Sequence, residues 1–270
     1  MDDLEKLLGH LWEDYAAINV QARRIHELLK ERGEKIVNDH VAFRTFNLPK
    51  VGLEVLADPF KRLGYVPKAE YEFTGKKLFA RHFEHPDSNN PKIFISELKV
   101  EFFSEGFQKI IRDLVDQIPE ERVSRRDFLY AGILWKPVSW EVYLKLDQES
   151  DYASWLAAFG YRANHFTVAF NALKNFKRLD ELNAFLKKHG FKLNASGGEV
   201  KGSPSEYLEQ SSTLAEPVEI QFANKKSKIP SCYYEFARRY PLPDGALFQG
   251  FVAPSADKLF ESTDRPSDAL

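Results

Sequence analysis

One cysteine, Cys232, occurs in the 270 residues, so no disulfide can form within the chain and the small stapled scaffolds of secreted proteins are excluded. Cys232 lies in Ser231-Cys232-Tyr233-Tyr234, without the surroundings of a nucleophile, and is read as a buried, inert thiol. An excess of charge is missing too. Lys and Arg number 38 against 40 Asp and Glu, and the two signs are interspersed. No basic stripe of the kind that follows phosphates is visible, so nucleic acid is not expected as a partner. Lys225-Lys226-Ser227-Lys228 and Arg238-Arg239 read as solvated surface. No uninterrupted apolar run is long enough to span a membrane. The opening Met1-Asp2-Asp3-Leu4 lacks the basic start and apolar stretch of a signal peptide. The expectation is a cytoplasmic protein with no membrane partner.

Aromatic residues are abundant, with 22 Phe and 11 Tyr, which suits strand-rich packing. Helical spacing of Leu4, Leu7, Leu8, Leu11, Tyr15, Ile18, Ala22, Ile25 and Leu29 predicts one helix over 2–32, stopped at Gly33. Strand character follows over 37–46 and a helix over 51–63. Strands are expected near 77–83 and 92–98, on either side of the turn-rich His85-Pro86-Asp87-Ser88-Asn89-Asn90. Helices are expected over 104–118 and 150–159, a strand over 163–170, and a helix over 173–189. Further strands are expected near 197–202, 206–213 and 217–223. From Tyr233 onward the chain reads as a tail rich in Pro and aromatics, with a polar end at Ser262-Thr263-Asp264-Arg265-Pro266.

An internal repeat organises this list. Asn38-Asp39-His40-Val41-Ala42-Phe43 resembles Ala163-Asn164-His165-Phe166-Thr167-Val168. His40 precedes Gly64-Tyr65 by 24 residues, and His165 precedes Gly190-Phe191 by 25. Ile93 lies 29 residues beyond Gly64, and Glu219 lies 29 beyond Gly190. The fold class expected is α+β, with two strand–helix–strands modules at about 35–100 and 160–225. They would form one catalytic domain over 1–270, with a sheet-lined metal cavity and added N-terminal and linking helices.

If the modules pair around a pseudo-twofold axis, their first strands meet and His40 and His165 converge. Side chains alternate across a strand, which leaves Glu219 on a small polar face opposite Ile220 and Phe222. Two imidazoles, one carboxylate and open coordination positions match the ligand pattern of non-haem iron(II) oxygenases. The competing reading makes each histidine a satisfied structural residue and Glu219 a solvent-facing one. His82 and His85 flank Phe83-Glu84 beside a turn and read as surface, while His10, His26 and His189 fall on predicted helices. Glu97 shares strand parity with Ile93 and stands as an alternative ligand. Arg44 shares a strand face with His40 and lies about 13 Å along it. Its guanidinium can grip a carboxylate through paired hydrogen bonds, or form an ordinary ion pair.

The paired modules resemble the vicinal oxygen chelate superfamily. Asn38-Asp39-His40-Val41-Ala42-Phe43-Arg44-Thr45-Phe46 resembles the opening motif of the 2-oxoadipate dioxygenase/decarboxylase family. Asn164-His165-Phe166-Thr167 and Pro217-Val218-Glu219-Ile220-Gln221-Phe222 resemble its later motifs. Tyr234-Glu235-Phe236-Ala237-Arg238-Arg239 and the segment from Gly250 to Thr263 are similar to the family as well. The resemblance implies Fe(2+) held by His40, His165 and Glu219. It implies a substrate bordered by His40 and Arg44, with Arg44 as the catalytic group on its carboxylate, and a C-terminal contact near Val252 or Ser255. The implied partners are a 2-oxo dicarboxylate and dioxygen, and the implied reaction yields 2-hydroxyglutarate and carbon dioxide late in lysine breakdown. Two rival readings remain open at this point: another metal-dependent enzyme of the superfamily (a ring-cleaving dioxygenase, isomerase or lyase), and a non-catalytic binding module.

Overall fold

Ten strands carry the architecture: β1 (Asn38–Phe46), β2 (Val66–Phe73), β3 (Leu78–Glu84), β4 (Lys92–Leu98), β5 (Ala163–Ala169), β6 (Lys201–Ser203), β7 (Leu208–Ser212), β8 (Pro217–Gln221), β9 (Lys226–Pro230) and β10 (Tyr233–Arg239). They come from a computed structural model that describes residues 2–263; Met1 and the polar end at Asp264-Arg265-Pro266 lie outside the described residues. Eight strands form one sheet in the order β2-β3-β4-β1-β5-β10-β7-β6. The helices are α1 (Asp3–Ile18), α2 (Val20–Glu31), α3 (Leu53–Arg62), α4 (Glu105–Asp116), the single turn α5 (Glu120–Val123), α6 (Trp140–Glu149), α7 (Asp151–Phe159), α8 (Leu179–Lys188) and α9 (Ala253–Phe260).

The sheet is two copies of one pattern. In each half a strand leads through a helix, α3 or α8, to a hairpin and then to a strand parallel to the first: β1 with β4, and β5 with β10. The halves meet where β1 and β5 pair antiparallel, with His40 opposite Thr167 and Ala42 opposite His165. This is the expected vicinal-oxygen-chelate arrangement. The two glycines that marked the repeat, Gly64 and Gly190, end the equivalent helices with φ of 95° and 86°, a conformation that costs other residues a steric clash.

The second half runs further than residue 225. Residues 85–91 join β3 to β4, but residues 213–232 join β7 to β10 and carry an inserted hairpin, β8–β9, outside the main sheet. The segment from Tyr233, expected as the start of a tail, is therefore a central strand. The N-terminal helix is two helices. Asn19 ends α1 and caps α2, its side chain accepting from the Ala22 N–H, while its amide donates to Tyr15 Oη at 2.8 Å. The helix expected over 173–189 starts only at Leu179, because the Glu34 carboxylate accepts from the N–H groups of Lys174 and Asn175 and holds that stretch as a loop.

Alternation along β5 and β10 separates core from cavity. Phe166 and Tyr234 pack against Trp12 and Tyr15 of α1. His165, Thr167, Tyr233 and Glu235 occupy the other face. Phe43 likewise turns to Phe60 of α3, leaving His40 and Arg44 on the inner face. The C-terminal segment crosses that face. Phe251 meets His40, and Phe260 of α9 meets Phe73 and Arg44.

Candidate metal centre and substrate cavity

Three adjacent strands each supply one candidate ligand. His40, Thr167 and Glu235 fall in one row across β1, β5 and β10, and His165 pairs with Tyr233 in the next row. His40, His165 and Glu235 are all buried, and one donor atom from each lies within 4.8 Å of the others. His40 Nε2 is 3.6 Å from Glu235 Oε1, and His165 Nε2 is 3.3 Å from Oε2. A narrow cavity opens on these atoms, walled by Phe94, Gln210, Tyr233 and Phe251.

Neighbouring groups fix both rings. His40 Nδ1 donates to Asp39 Oδ1 at 2.8 Å, and His165 Nδ1 donates to Asn164 Oδ1 at 3.0 Å. Each bond selects the tautomer whose Nε2 lone pair faces the cavity. The Thr167 hydroxyl donates to His40 Nε2 at 3.0 Å, consistent with that tautomer. Burial disfavours the charged form of both rings: it outweighs the Asp39 bond at His40, and with the charges of His40 and Arg44 it holds His165 well below the ordinary imidazole range. Burial also opposes ionisation of Asp39. Two bonds from Arg239, at 2.7 and 2.8 Å, outweigh it and keep that carboxyl well below its usual range.

Glu235 has the reverse balance. Burial dominates and pushes its carboxyl up to about 8, despite the 2.6 Å hydrogen bond donated by Gln210 Nε2. A carboxylate in so apolar a place calls for a cation. Two neutral imidazoles with lone pairs directed beside it complete a donor set that fits one divalent metal.

The third ligand expected from the sequence, Glu219, is elsewhere. It sits on β8, opposite Lys228 and 3.0 Å from Lys226 Nζ, with 53% of its side chain exposed. Counting from Gly190 reached it only because the β8–β9 hairpin is an insertion. Strand register gives the true correspondence. His40 pairs with Lys92 and Phe94 lies two residues on; His165 pairs with Tyr233 and Glu235 lies two residues on. Glu235 thus answers to Phe94, and the signal available in the sequence was an acidic residue inside the apolar run Tyr233-Tyr234-Glu235-Phe236-Ala237.

Glu97, the alternative ligand, accepts from the Leu53 N–H at 2.7 Å at the start of α3. His10 stacks on Tyr130, His26 packs at a tilt against Trp12, and His189 bonds the Phe185 carbonyl, so none joins the cluster. Arg44 is buried on the inner face. Its Nη2 donates to Thr263 Oγ1 at 2.9 Å, while Nε and Nη1 have no hydrogen-bond partner among the described residues. Tyr152 and Trp155 lie 4.9 and 5.1 Å from its guanidinium carbon, and among the described residues no carboxylate pairs with it. Val252 and Ser255 flank the cavity but their neighbours Phe251 and Ala256 form its wall, and the Ser255 hydroxyl points toward Gly202. Gln210, Phe251 and Phe94 were not singled out from the sequence, because nothing local distinguishes a cavity-lining amide or phenyl ring from a core one.

A family model described as 2-oxoadipate dioxygenase/decarboxylase matches residues 3–248. The Arabidopsis thaliana chloroplastic protein of that name is 34% identical over 284 residues, covering 95% of this chain and 76% of its own length. A crystal structure from Shewanella frigidimarina NCIMB 400, carrying a provisional hydrolase label, is 51% identical with a TM-score of 0.90 over 94% of this chain and 99% of that one. The Oryza sativa hydroxyglutarate synthase, solved in complex with 2-oxoadipate, is 34% identical with a TM-score of 0.90, covering 96% of this chain and 91% of its own. With a family model spanning most of its length and a curated relative similar across 95% of it, the chain belongs to the 2-oxoadipate dioxygenase/decarboxylase family.

Proposed function

We propose that this chain is an iron(II)-dependent enzyme that converts 2-oxoadipate and dioxygen to 2-hydroxyglutarate and carbon dioxide. The observation that carries the reading is the buried His40–His165–Glu235 cluster, served on the same sheet face by an arginine without a carboxylate partner among the described residues. Iron(II) held by the three side chains would supply the electrons and open positions that oxygen chemistry needs.

The chain's own residues do the rest. Asp39 and Asn164 hold the two imidazoles in the ligating tautomer, and Arg239 keeps Asp39 ionised. Gln210 restrains one oxygen of Glu235. Arg44 has donors without a partner among the described residues for the far carboxylate of a dicarboxylate, and the ring faces of Tyr152 and Trp155 hold its guanidinium plane. With the metal end and the arginine end both fixed, the substrate chain has one register. Phe94, Phe251 and Phe260 keep water from the space between. The same assignment places the chain late in lysine breakdown. Among the described residues no helix is long and apolar enough to cross a membrane, and a cytoplasmic location is the part of this reading that cell fractionation would check.

The test is oxygen uptake by anaerobically iron-loaded protein given 2-oxoadipate, with His165→Ala beside it. Uptake matched by carbon dioxide and 2-hydroxyglutarate, lost in the variant, is the expected result. Bound iron without uptake would turn the assignment toward other 2-oxo acids and then toward a redox-neutral isomerase, lyase or hydrolase.

A further inference from the structure

His82, which the sequence placed at the surface beside a turn, is buried and stands in a hydrogen-bonded chain that reaches the metal cavity from outside. Tyr71 Oη meets His82 Nδ1 at 2.9 Å, His82 Nε2 meets Glu84 Oε1 at 3.0 Å, and the Phe251 N–H donates to Tyr71 Oη at 3.1 Å. The directions are determined. The Glu84 carboxylate can only accept, so Nε2 carries the hydrogen and Nδ1 is the acceptor. Tyr71 must then donate to Nδ1, which leaves its oxygen to receive the Phe251 N–H. Every donor has one acceptor, and none conflicts. Glu84 forms the outer end, on the rim of a polar surface pocket with Lys68, His85 and Lys92.

The inner end holds Phe251. Its ring stands edge-on to His40, with centroids 4.8 Å apart at 89°, and lies 4.9 Å from Phe94. Phe94 is the residue that answers to Glu235 in the other half. Phe94, from the first half, and Phe251, from the C-terminal segment, therefore make an apolar wall of the cavity on the side where the first half gives no ligand. The segment before Phe251 has no regular structure; Arg239 Nη1 holds the carbonyls of Phe248 and Gly250, and Tyr71 holds the Phe251 N–H.

We infer that Tyr71, braced by His82 and Glu84, is a positioning residue for the reaction: it fixes the Phe251 ring against His40 and so sets the wall along which the substrate chain lies. This rests on the oxygenase reading above. A substrate tethered at both ends, by metal and by Arg44, still binds when that wall loosens. Its middle carbons then leave the reactive geometry, so turnover suffers more than binding.

Tyr71→Phe removes only the hydroxyl. In metal-free protein, hydrogen exchange of the Phe251 amide should accelerate by about tenfold or more in the variant, with the β5 and β10 amides unchanged. In iron-loaded protein, kcat per bound iron should fall about tenfold while KM for 2-oxoadipate moves by less than about threefold. A purely structural role would lower the yield of active protein and leave kcat per bound iron alone. If Tyr71→Phe does not fold, Glu84→Ala, at the solvent end, carries the same two measurements with smaller expected changes in the same directions. Unaltered exchange at Phe251, or faster exchange with unaltered kcat per iron, overturns the inference. Wild-type protein that binds iron but takes up no oxygen with 2-oxoadipate or with any other 2-oxo acid tried overturns the oxygenase reading, and this inference falls with it; a failure confined to the variants leaves that reading intact.

Discussion

Two glutamates decide how the site is understood. Glu235 is 1% exposed between two imidazoles, and Glu219 is half exposed beside a lysine. Glu235→Gln should cut divalent-metal affinity by about a hundredfold or more, since it removes a charged ligand from a buried site. Glu219→Gln should leave metal content unchanged and shift stability by less than about 0.5 kcal/mol, as an exposed pair does. Metal analysis of the two purified variants separates them, and retention of metal by Glu235→Gln would sink the assignment. The sequence revealed both histidines because each opens a recognisable strand, but a carboxylate's role depends on which strand lies beside them, and one inserted hairpin moved that choice by sixteen positions. The raised carboxyl of Glu235 carries a pH signature. Below about 8 the metal-free site holds a proton that the metal must displace, whereas both imidazoles are already neutral. Affinity for a redox-inert surrogate such as Mn(II) should therefore rise with pH, by about one log unit per pH unit, and level off above about 8. Calorimetry in buffers of different ionisation enthalpy would detect the released proton near pH 7, and a pH-independent affinity would contradict the burial argument. Arg44 gives a third measurement at this scale. Arg44→Met should raise KM for 2-oxoadipate by about ten- to a hundredfold, the range of a charge-assisted hydrogen-bonded contact. A 2-oxo acid of similar length without the far carboxylate should be affected little, and equal effects on both would show that Arg44 does not read that group.

At the level of elements, the inserted β8–β9 hairpin is a module apart from the chemistry. It is pinned by Phe222, buried against Trp140 and Tyr143, and by the Ala223 N–H bonding the Val138 carbonyl. Phe222→Ala should cost about 3–5 kcal/mol of stability while leaving metal bound per folded chain unchanged, because no ligand sits on the hairpin. Denaturant unfolding with metal analysis would check it, and loss of metal from folded protein would mean that the hairpin supports β10 more directly. Other elements show where local patterning suffices. The strands β1, β3, β4 and β5 were legible because they alternate between turns. The break between α1 and α2 was not, since apolar spacing continues through Asn19 and only the cap to Ala22 and the bond to Tyr15 interrupt it. β10 was hidden for a different reason. It is apolar or aromatic at almost every position up to Arg238, as a strand covered on both faces must be, and it precedes a Pro-rich tail that coloured the whole segment.

For the molecule as a whole, the proposed metal site lies on the seam that makes two repeats into one sheet. His40 belongs to the first half, and His165 and Glu235 to the second, so a bound ion joins strands β1, β5 and β10 across that seam. The unfolded chain scatters these ligands over nearly two hundred residues and cannot offer them together. Metal should therefore bind the folded state alone and stabilise it by mass action. At a free concentration a hundred times Kd the gain is about 2.7 kcal/mol. For a chain of this size that corresponds to a rise in Tm of about 5–10 °C. The rise should be reproduced by Glu219→Gln and abolished by Glu235→Gln. It should also be abolished by His40→Ala alone, even though that variant keeps both ligands of the second half. A His40 variant that retained the full rise would mean that the second half binds metal by itself, and the seam would lose its place as the reason the two halves are held together in one chain.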